Sequence, residues 1–328
     1  MRFGLILDGG TQPGLPRDTA CKELLERATL AHRWGFHSLW TGPGYLNQGW
    51  HPTVLLARVA AEVPGVELGI VGLLPLHHPV ELAEQLSTLD VICGGQVVLG
   101  AALGWRDFQF RAFEVPEGQR LSRFLEVLAT LKELWTQERV THEGRHFRIL
   151  DVPGAGAPQQ RPYPKILIAA NLDPGVVRAA TIADGWLISS RATLTTIVRQ
   201  MSLYRDTLRT AGRAGYVSAW REMYIAANRA EAMVTIRPHV EWLYRDRAAL
   251  GHNRALPEAD RIDVPFEQVL EGRFIIGSPE ECVAEVQKYQ AAGVEELILR
   301  CQWPGMATQD TLRAIERFGR DVLPRFTA

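Results

Sequence analysis

Residues 74–105 read LPLHHPVELAEQLSTLDVICGGQVVLGAALGW. The apolar run at 68–74, LGIVGLL, enters this stretch. It is too short for a globular helix and is bounded by turn residues, so it reads as a strand. Pro79 suits the first turn of a helix, where its missing N–H costs nothing. Val80, Ala83, Leu86, Leu89 and Val91 then recur at helical spacing, and Gly94-Gly95 ends the pattern. Residues 96–99 form a second apolar strand. Strand, helix and strand without a hairpin signal predict a parallel pair joined by a crossover.

Outward from this unit, the same alternation continues. Strands are expected at 3–7, 38–40, 68–74, 96–99, 165–169, 186–189, 222–226 and 296–300. Asp18 or Thr19 is expected to cap the first helix, and Pro52 to start the second. Residues 120–135 repeat apolar side chains on one helical side, and 140–149 read as a hairpin around Glu143-Gly144. Asp173 is expected to cap a helix with Pro174 at its first position. Ser278-Pro279-Glu280-Glu281 has the layout of a capping box. Eight strands alternating with helices predict a (β/α)8 TIM barrel, a single domain over 1–328 with insertions at about 138–164 and 250–273. The second insertion has weak periodicity and predicts no element.

The stretch at 74–105 resembles the luciferase-like flavin-dependent monooxygenase family, whose pattern there is approximately LPLRHPVxLAExxxxLDxLSGGRxxLGVGxGW. The matching residues are Pro75, His78, Pro79, Ala83, Glu84, Leu89, Asp90, Gly94, Gly95, Gly100, Gly104 and Trp105. The resemblance implies a barrel with a reduced flavin at the carboxyl ends of its strands. The implied chemistry is that of a monooxygenase using reduced FMN and O₂ on a small hydrophobic organic substrate. A separate NAD(P)H flavin reductase would be its partner. The alternative is a hydride-transfer oxidoreductase using a deazaflavin (coenzyme F-420) on the same barrel. A second alternative is a non-catalytic flavin-binding protein.

Composition sets limits on partners. The chain has 328 residues, 46% hydrophobic and 22% charged, with a net charge of -1. Such a balance suggests no nucleic-acid or anionic-membrane partner. No apolar run reaches the roughly 18 residues of a membrane span. The start, MRFGLILDGG, lacks a signal-peptide layout, and Cys21, Cys93, Cys282 and Cys301 lack metal or redox spacing. The expectation is a cytoplasmic protein with free thiols and no metal site.

The loops expected after the strands carry the candidate site. They are aromatic: Trp40, Tyr45 and Trp50; Trp105 and Phe108; Trp303. Large aromatics can simply plug a barrel mouth, but together they suit a flat ring and an apolar substrate. Tyr45 and His51 are the catalytic candidates, His51 being the histidine of its loop. Trp50, Phe108, Trp186 and Trp303 are candidates for the substrate pocket. His77 and His78, adjacent in sequence, suit supporting or helix-start roles. Residues 171–176 offer a helix start, which can hold an anion or be an ordinary cap.

The resemblance places the flavin phosphate at that loop, through Asn171, Leu172, Gly175 and Val176, with Ser189 and Arg123 in reach. It places the ring near Val71, Gly72 and Gly104, with a non-proline cis peptide common at that strand end. Departures are plain. Luciferases have an acidic residue and two histidines where this chain has Pro43, Gly44 and Tyr45, and an arginine where it has Leu103, so no light emission is expected. The deazaflavin branch often has an acidic residue where this chain has Trp105. A neutral substrate is expected unless Arg106 or Arg300 turns inward to read an anion. Relatives commonly dimerise through helices two and three, which implies a homodimer.

Overall fold

Short apolar runs bounded by Gly and Pro form the strands, and amphipathic segments between them form the helices. The structure is a computed structural model that describes residues 1–7, 14–46 and 49–326. In chain order the elements are β1 (Arg2–Ile6), α1 (Arg17–Arg33), β2 (Ser38–Thr41), α2 (Pro52–Glu62), β3 (Glu67–Leu73), α3 (Pro79–Ile92) and β4 (Val97–Ala102). There follow α4 (Asp107–Ala112), α5 (Arg120–Thr136), β5 (Arg139–Glu143), β6 (Arg148–Pro153), β7 (Lys165–Ala169), α6 (Asp173–Ile182), β8 (Gly185–Ile188) and α7 (Leu194–Thr210). The chain ends with β9 (Tyr216–Ile225), α8 (Arg229–Ala249), α9 (Phe266–Leu270), β10 (Phe274–Gly277), α10 (Pro279–Ala292), β11 (Glu296–Arg300) and α11 (Thr308–Asp321).

Nine strands hydrogen-bond in the order β10-β9-β11-β1-β2-β3-β4-β7-β8, and β8 also pairs with β9. That second pairing closes a ring of eight, and the fold is a (β/α)8 barrel. The chain divides into two compact units, residues 1–40 with 168–328, and residues 41–167.

In the larger unit, β1 runs parallel to β2 and β11, and β9 runs parallel to β8, β10 and β11. Glu296 is wholly buried on β11 and accepts hydrogen bonds from Ser38 Oγ (2.6 Å) and Ser218 Oγ (2.7 Å). Gly4 sits beside Ser38 because a Cβ there would lie 2.2 Å from that hydroxyl. The capping box forms as expected: Ser278 Oγ accepts from the Glu281 N–H, Glu281 Oε2 accepts from the Ser278 N–H, and Pro279 opens α10.

In the smaller unit, β3 and β4 pair in parallel from Leu68↔Val97 to Leu73↔Ala102. The motif residues have mechanical roles. Gly94 and Gly95 take φ of 74° and 82° to stop α3. Asp90 Oδ2 accepts from the Gln160 N–H at 2.9 Å, and Gln160 Oε1 accepts from the Val97 N–H at 2.9 Å. The motif thus ties helix, strand and the loop before β7 together. The insertion at 138–164 carries the antiparallel hairpin β5–β6.

Several expectations fail locally. Asp18 is not a cap: α1 begins at Arg17 after Pro16, and Asp18 lies in its first turn, where it meets the helix dipole. Asp173 is not a cap either, because α6 is preceded by Leu172 and the Asp173 carboxylate accepts from Arg199 Nη1 and Nη2, both at 2.8 Å. β9 starts at Tyr216, six residues before the strand expected at 222. β10 was not expected at all; its four buried residues border the insertion at 250–273, which holds two short 3-10 turns and α9. Among the described residues the cis peptide is Arg161–Pro162, so the bonds of Val71 and Gly72 are trans. No helix among them is long and apolar enough to cross a membrane.

Candidate active site

The smaller unit brings two of the expected residues into one cluster. Tyr45, in the loop after β2, has its Oη 3.2 Å from His77 Nε2. The His51 ring lies 6.0 Å from the Tyr45 ring, edge to face, and Phe113 lies at 5.2 Å. Gln109 Nε2 on α4 donates to the Tyr45 carbonyl at 2.9 Å, which holds the loop in place. Tyr45 packs on the buried apolar cluster of Leu73, Leu76, Phe110 and Val115. Gly44 is required beside it, since a Cβ there would lie 2.4 Å from the Trp50 carbonyl.

This setting fixes the protonation states. Burial first, and then the neighbouring His51, together lower the His77 imidazole to about 4. Burial, then the Glu81 carboxylate, pushes the Tyr45 phenol up to about 12. At neutral pH the pair is a neutral imidazole and a neutral phenol in hydrogen-bond reach. Such a pair can take a proton from a hydroxyl group or return one. His77 was expected only to support a helix start. Its partnership with a residue 32 positions away leaves no trace in local sequence.

The remaining candidates of this unit sit as follows. Trp50 and Phe108 are half-buried, and Val71 and Gly72 are buried in β3. Gly104 takes φ of 76°, and a Cβ there would meet the Phe110 ring at 3.0 Å. Arg123 Nε donates to the Pro75 carbonyl at 2.9 Å, and its guanidinium lies 4.8 Å from the Phe147 ring centre. Arg106 lies over the Trp105 ring at 4.9 Å.

In the larger unit, the helix start at 171–176 offers less to an anion than the sequence suggests. The Gly175 and Val176 N–H groups both donate to the Leu172 carbonyl. Asn171 Nδ2 donates to the Ala255 carbonyl at 3.1 Å, and Gln200 Nε2 donates to the Asn171 carbonyl. Hydrogen bonds from Arg199 and then Gln200 hold the Asp173 carboxyl down at about 2, so a carboxylate occupies the helix start itself. Leu172 is exposed and Ser189 half-buried, with Ser189 Oγ accepting from the Arg191 N–H.

Trp186 and Trp303 are fully buried. Trp186 Nε1 donates to the Ala170 carbonyl at 3.0 Å, and Trp303 Nε1 donates to Glu222 Oε2 at 2.9 Å. Both indole N–H groups are thus satisfied inside the protein. Arg300 does turn inward: its Nη1 donates to Glu222 Oε1 at 3.3 Å, beside Arg191 Nη1 at 3.4 Å. Sequence reasoning missed Glu222 and Arg191. The available signal was Arg221-Glu222 inside a mostly apolar strand.

Barrel, motif geometry and loop cluster agree with a match of residues 1–296 to the family described as luciferase-like monooxygenase. The chain belongs to that family and is one of its oxidoreductases. It is 27% identical to an F420-dependent glucose-6-phosphate dehydrogenase of Amycolatopsis mediterranei (strain U-32), over 94% of this chain and 95% of that one. It is 30% identical to the protein of the same name from Nakamurella multipartita, over 93% of each chain. Among solved structures, monooxygenase RslO1 from Streptomyces bottropensis superposes with a TM-score of 0.86 at 26% identity, covering 99% of this chain and 100% of that one.

Proposed function

We propose that this chain is a deazaflavin (F420)-dependent oxidoreductase that moves a hydride between the cofactor and a hydroxyl-bearing carbon of its substrate. The observation that carries this reading is the likeness to F420-dependent dehydrogenases along more than nine-tenths of both chains. The Tyr45–His77 pair supports it, because removing a hydride from an alcohol carbon requires a group to take the hydroxyl proton. It replaces the FMN and O₂ chemistry that the resemblance first implied as the leading reading.

A deazaflavin, when bound, supplies the hydride acceptor and donor. The residues of the smaller unit fit a flat ring of that kind. Leu73, Leu76, Phe110 and Val115 form a buried apolar wall, and Gly104 keeps side-chain bulk off the turn after β4. Val71, Gly72 and Gly104 would lie along the ring. Tyr45 would orient the substrate hydroxyl, and neutral His77 would accept its proton only in passing, on the way to solvent. The apolar wall would keep water from the reacting carbon.

The second reading, a monooxygenase using reduced FMN and O₂ with a separate NAD(P)H reductase, is favoured by the likeness to RslO1 and by Trp105 at the position often acidic in the deazaflavin branch. Under either reading we place the enzyme in the cytoplasm, and its four free cysteines accord with a reducing compartment. A homodimer through α2 and α3 remains part of this proposal: Leu55, Val59, Leu82, Leu86 and Leu89 are buried within the chain, but Val54, Val91 and Ile92 are exposed on those helices.

Titration under nitrogen with F420 and with FMN tests the assignment. F420 should bind the more tightly. Tight FMN binding with none of F420 would transfer the case to the monooxygenase.

A further inference from the structure

The turn that carries Tyr45 is strained. Leu46, the next residue, takes φ of 60°, in the left-handed region that a leucine disfavours. Its side chain is 64% exposed, so its own packing does little to hold it there. On the other side of Tyr45, a Cβ at Gly44 would lie 2.4 Å from the Trp50 carbonyl. The turn itself is gripped from α4, where Gln109 Nε2 donates to the Tyr45 carbonyl at 2.9 Å. That carbonyl belongs to the planar peptide linking Tyr45 to Leu46. Fixing its direction fixes ψ of Tyr45 and φ of Leu46 together.

Gln109 is itself held firmly. It is 2% exposed, and the short helix that carries it is anchored on two sides. Phe110, the next residue, is buried with Leu73, Leu76 and Val115, against the Gly104 turn. Asp107 Oδ1 accepts from Arg120 Nη2 at 2.7 Å, and the Arg120 guanidinium lies 4.0 Å from the Phe110 ring centre, which ties α4 to α5. Phe113, just beyond α4, meets the Tyr45 ring at 5.2 Å. The helix thus holds Tyr45 twice, by its backbone through Gln109 and by its ring through Phe113. Phe113 is 40% exposed, so the directional grip comes from the buried amide.

We propose that Gln109 is a positioning residue: by clamping the Tyr45–Leu46 peptide it aims the Tyr45 phenol at His77. Releasing the carbonyl lets that peptide turn and lets Leu46 relax to negative φ, and the Tyr45 side chain moves with it. The phenol lies 3.2 Å from His77 Nε2. A displacement of about 1 Å takes it out of hydrogen-bond range. The consequence for catalysis rests on the functional reading above; the aiming of the phenol does not.

Gln109→Met keeps the length of the side chain and removes the donor. Cofactor-free protein labelled in its histidine rings can be followed by NMR against pH. In wild type His77 should titrate at about 4, and its ring should show a close contact with Tyr45. In Gln109→Met that contact should be lost, and the midpoint should move up toward the ordinary 6.5 as water reaches the imidazole. With F420 and a panel of alcohols, kcat should fall about 10- to 10²-fold while KM and cofactor affinity change little. Gln109→Glu is the second arm, should the first variant fold poorly. Its carboxyl repels the Tyr45 carbonyl when ionised and donates to it when protonated. The ring contact, and kcat relative to wild type, should therefore recover as pH falls from about 8 to about 5. An unchanged titration and ring contact in Gln109→Met would overturn the proposal. So would a ring contact and activity ratio independent of pH in Gln109→Glu, or full activity in Gln109→Met where Tyr45→Phe is impaired. Full activity in Tyr45→Phe instead removes the functional reading, and the NMR arm alone then decides whether Gln109 aims the phenol.

Discussion

At the scale of residues, the account turns on Tyr45 and His77. If they handle the substrate proton, Tyr45→Phe and His77→Gln should each lower turnover by about 10²–10⁴-fold, with cofactor affinity nearly unchanged in both. Steady-state rates beside cofactor titrations check this; a fall in affinity that matches the fall in rate would point to a structural role instead. His51→Gln should lower turnover less, because His51 is exposed and reaches the pair only through the Tyr45 ring edge. The buried imidazole also marks stability. Unfolded His77 gains a proton near 6.5, while folded His77 stays neutral down to about 4. The unfolded state thus binds more protons in that window, and stability must fall as pH falls through it. The contribution is up to about 3 kcal/mol. Urea midpoints at neutral and mildly acidic pH should differ less in His77→Gln than in wild type. Tyr45 and His51 were legible as loop residues beyond a strand. The Tyr45–His77 and Glu222–arginine contacts were not, because partners far apart in sequence leave no periodic signal.

Among the elements, those with local chemistry were the legible ones. The Ser278–Glu281 capping box follows from four consecutive residues, and Ser278→Ala should cost about 1 kcal/mol, read as a lower urea midpoint. Asp173 shows the limit of that logic. Its position suits a cap, but Arg199 from the next helix claims the carboxylate. β10 was missed because four residues beside a polar insertion carry too short a pattern to separate from a loop. The hairpin β5–β6 is pinned from outside, by Glu126 on α5. Its carboxylate accepts from the His146 and Phe147 N–H groups, at 2.8 Å for the latter, and contacts His142 Nε2. Burial alone would raise this carboxyl, but the two backbone donors, the His142 hydrogen bond and the charge of His146 together outweigh it and hold it low. Glu126→Ala leaves both N–H groups without their acceptor and should cost about 2–3 kcal/mol. Faster amide exchange at residues 146 and 147 is the expected signature; unchanged protection there would contradict the pinning role.

For the whole molecule, the alternation of strands and helices and the 74–105 motif were enough to place the barrel and the family. The motif residues do structural work, tying β4 to α3 and to residue 160, so they report the fold faithfully and the chemistry poorly. Flavin and deazaflavin are rings of like shape, and an apolar wall with glycines beside it accepts either. That is why FMN was the first expectation and why the dehydrogenase relatives shift the balance. The two chemistries differ in one demand: an oxygenase consumes O₂ and a hydride transferase does not. Product formation should therefore be followed with a panel of hydroxyl-bearing substrates and oxidised F420 under nitrogen, and again with reduced FMN in air. The account predicts turnover under nitrogen, with the substrate's deuterium transferred to F420. Product that forms only in air with reduced FMN, carrying oxygen from labelled O₂, would contradict it.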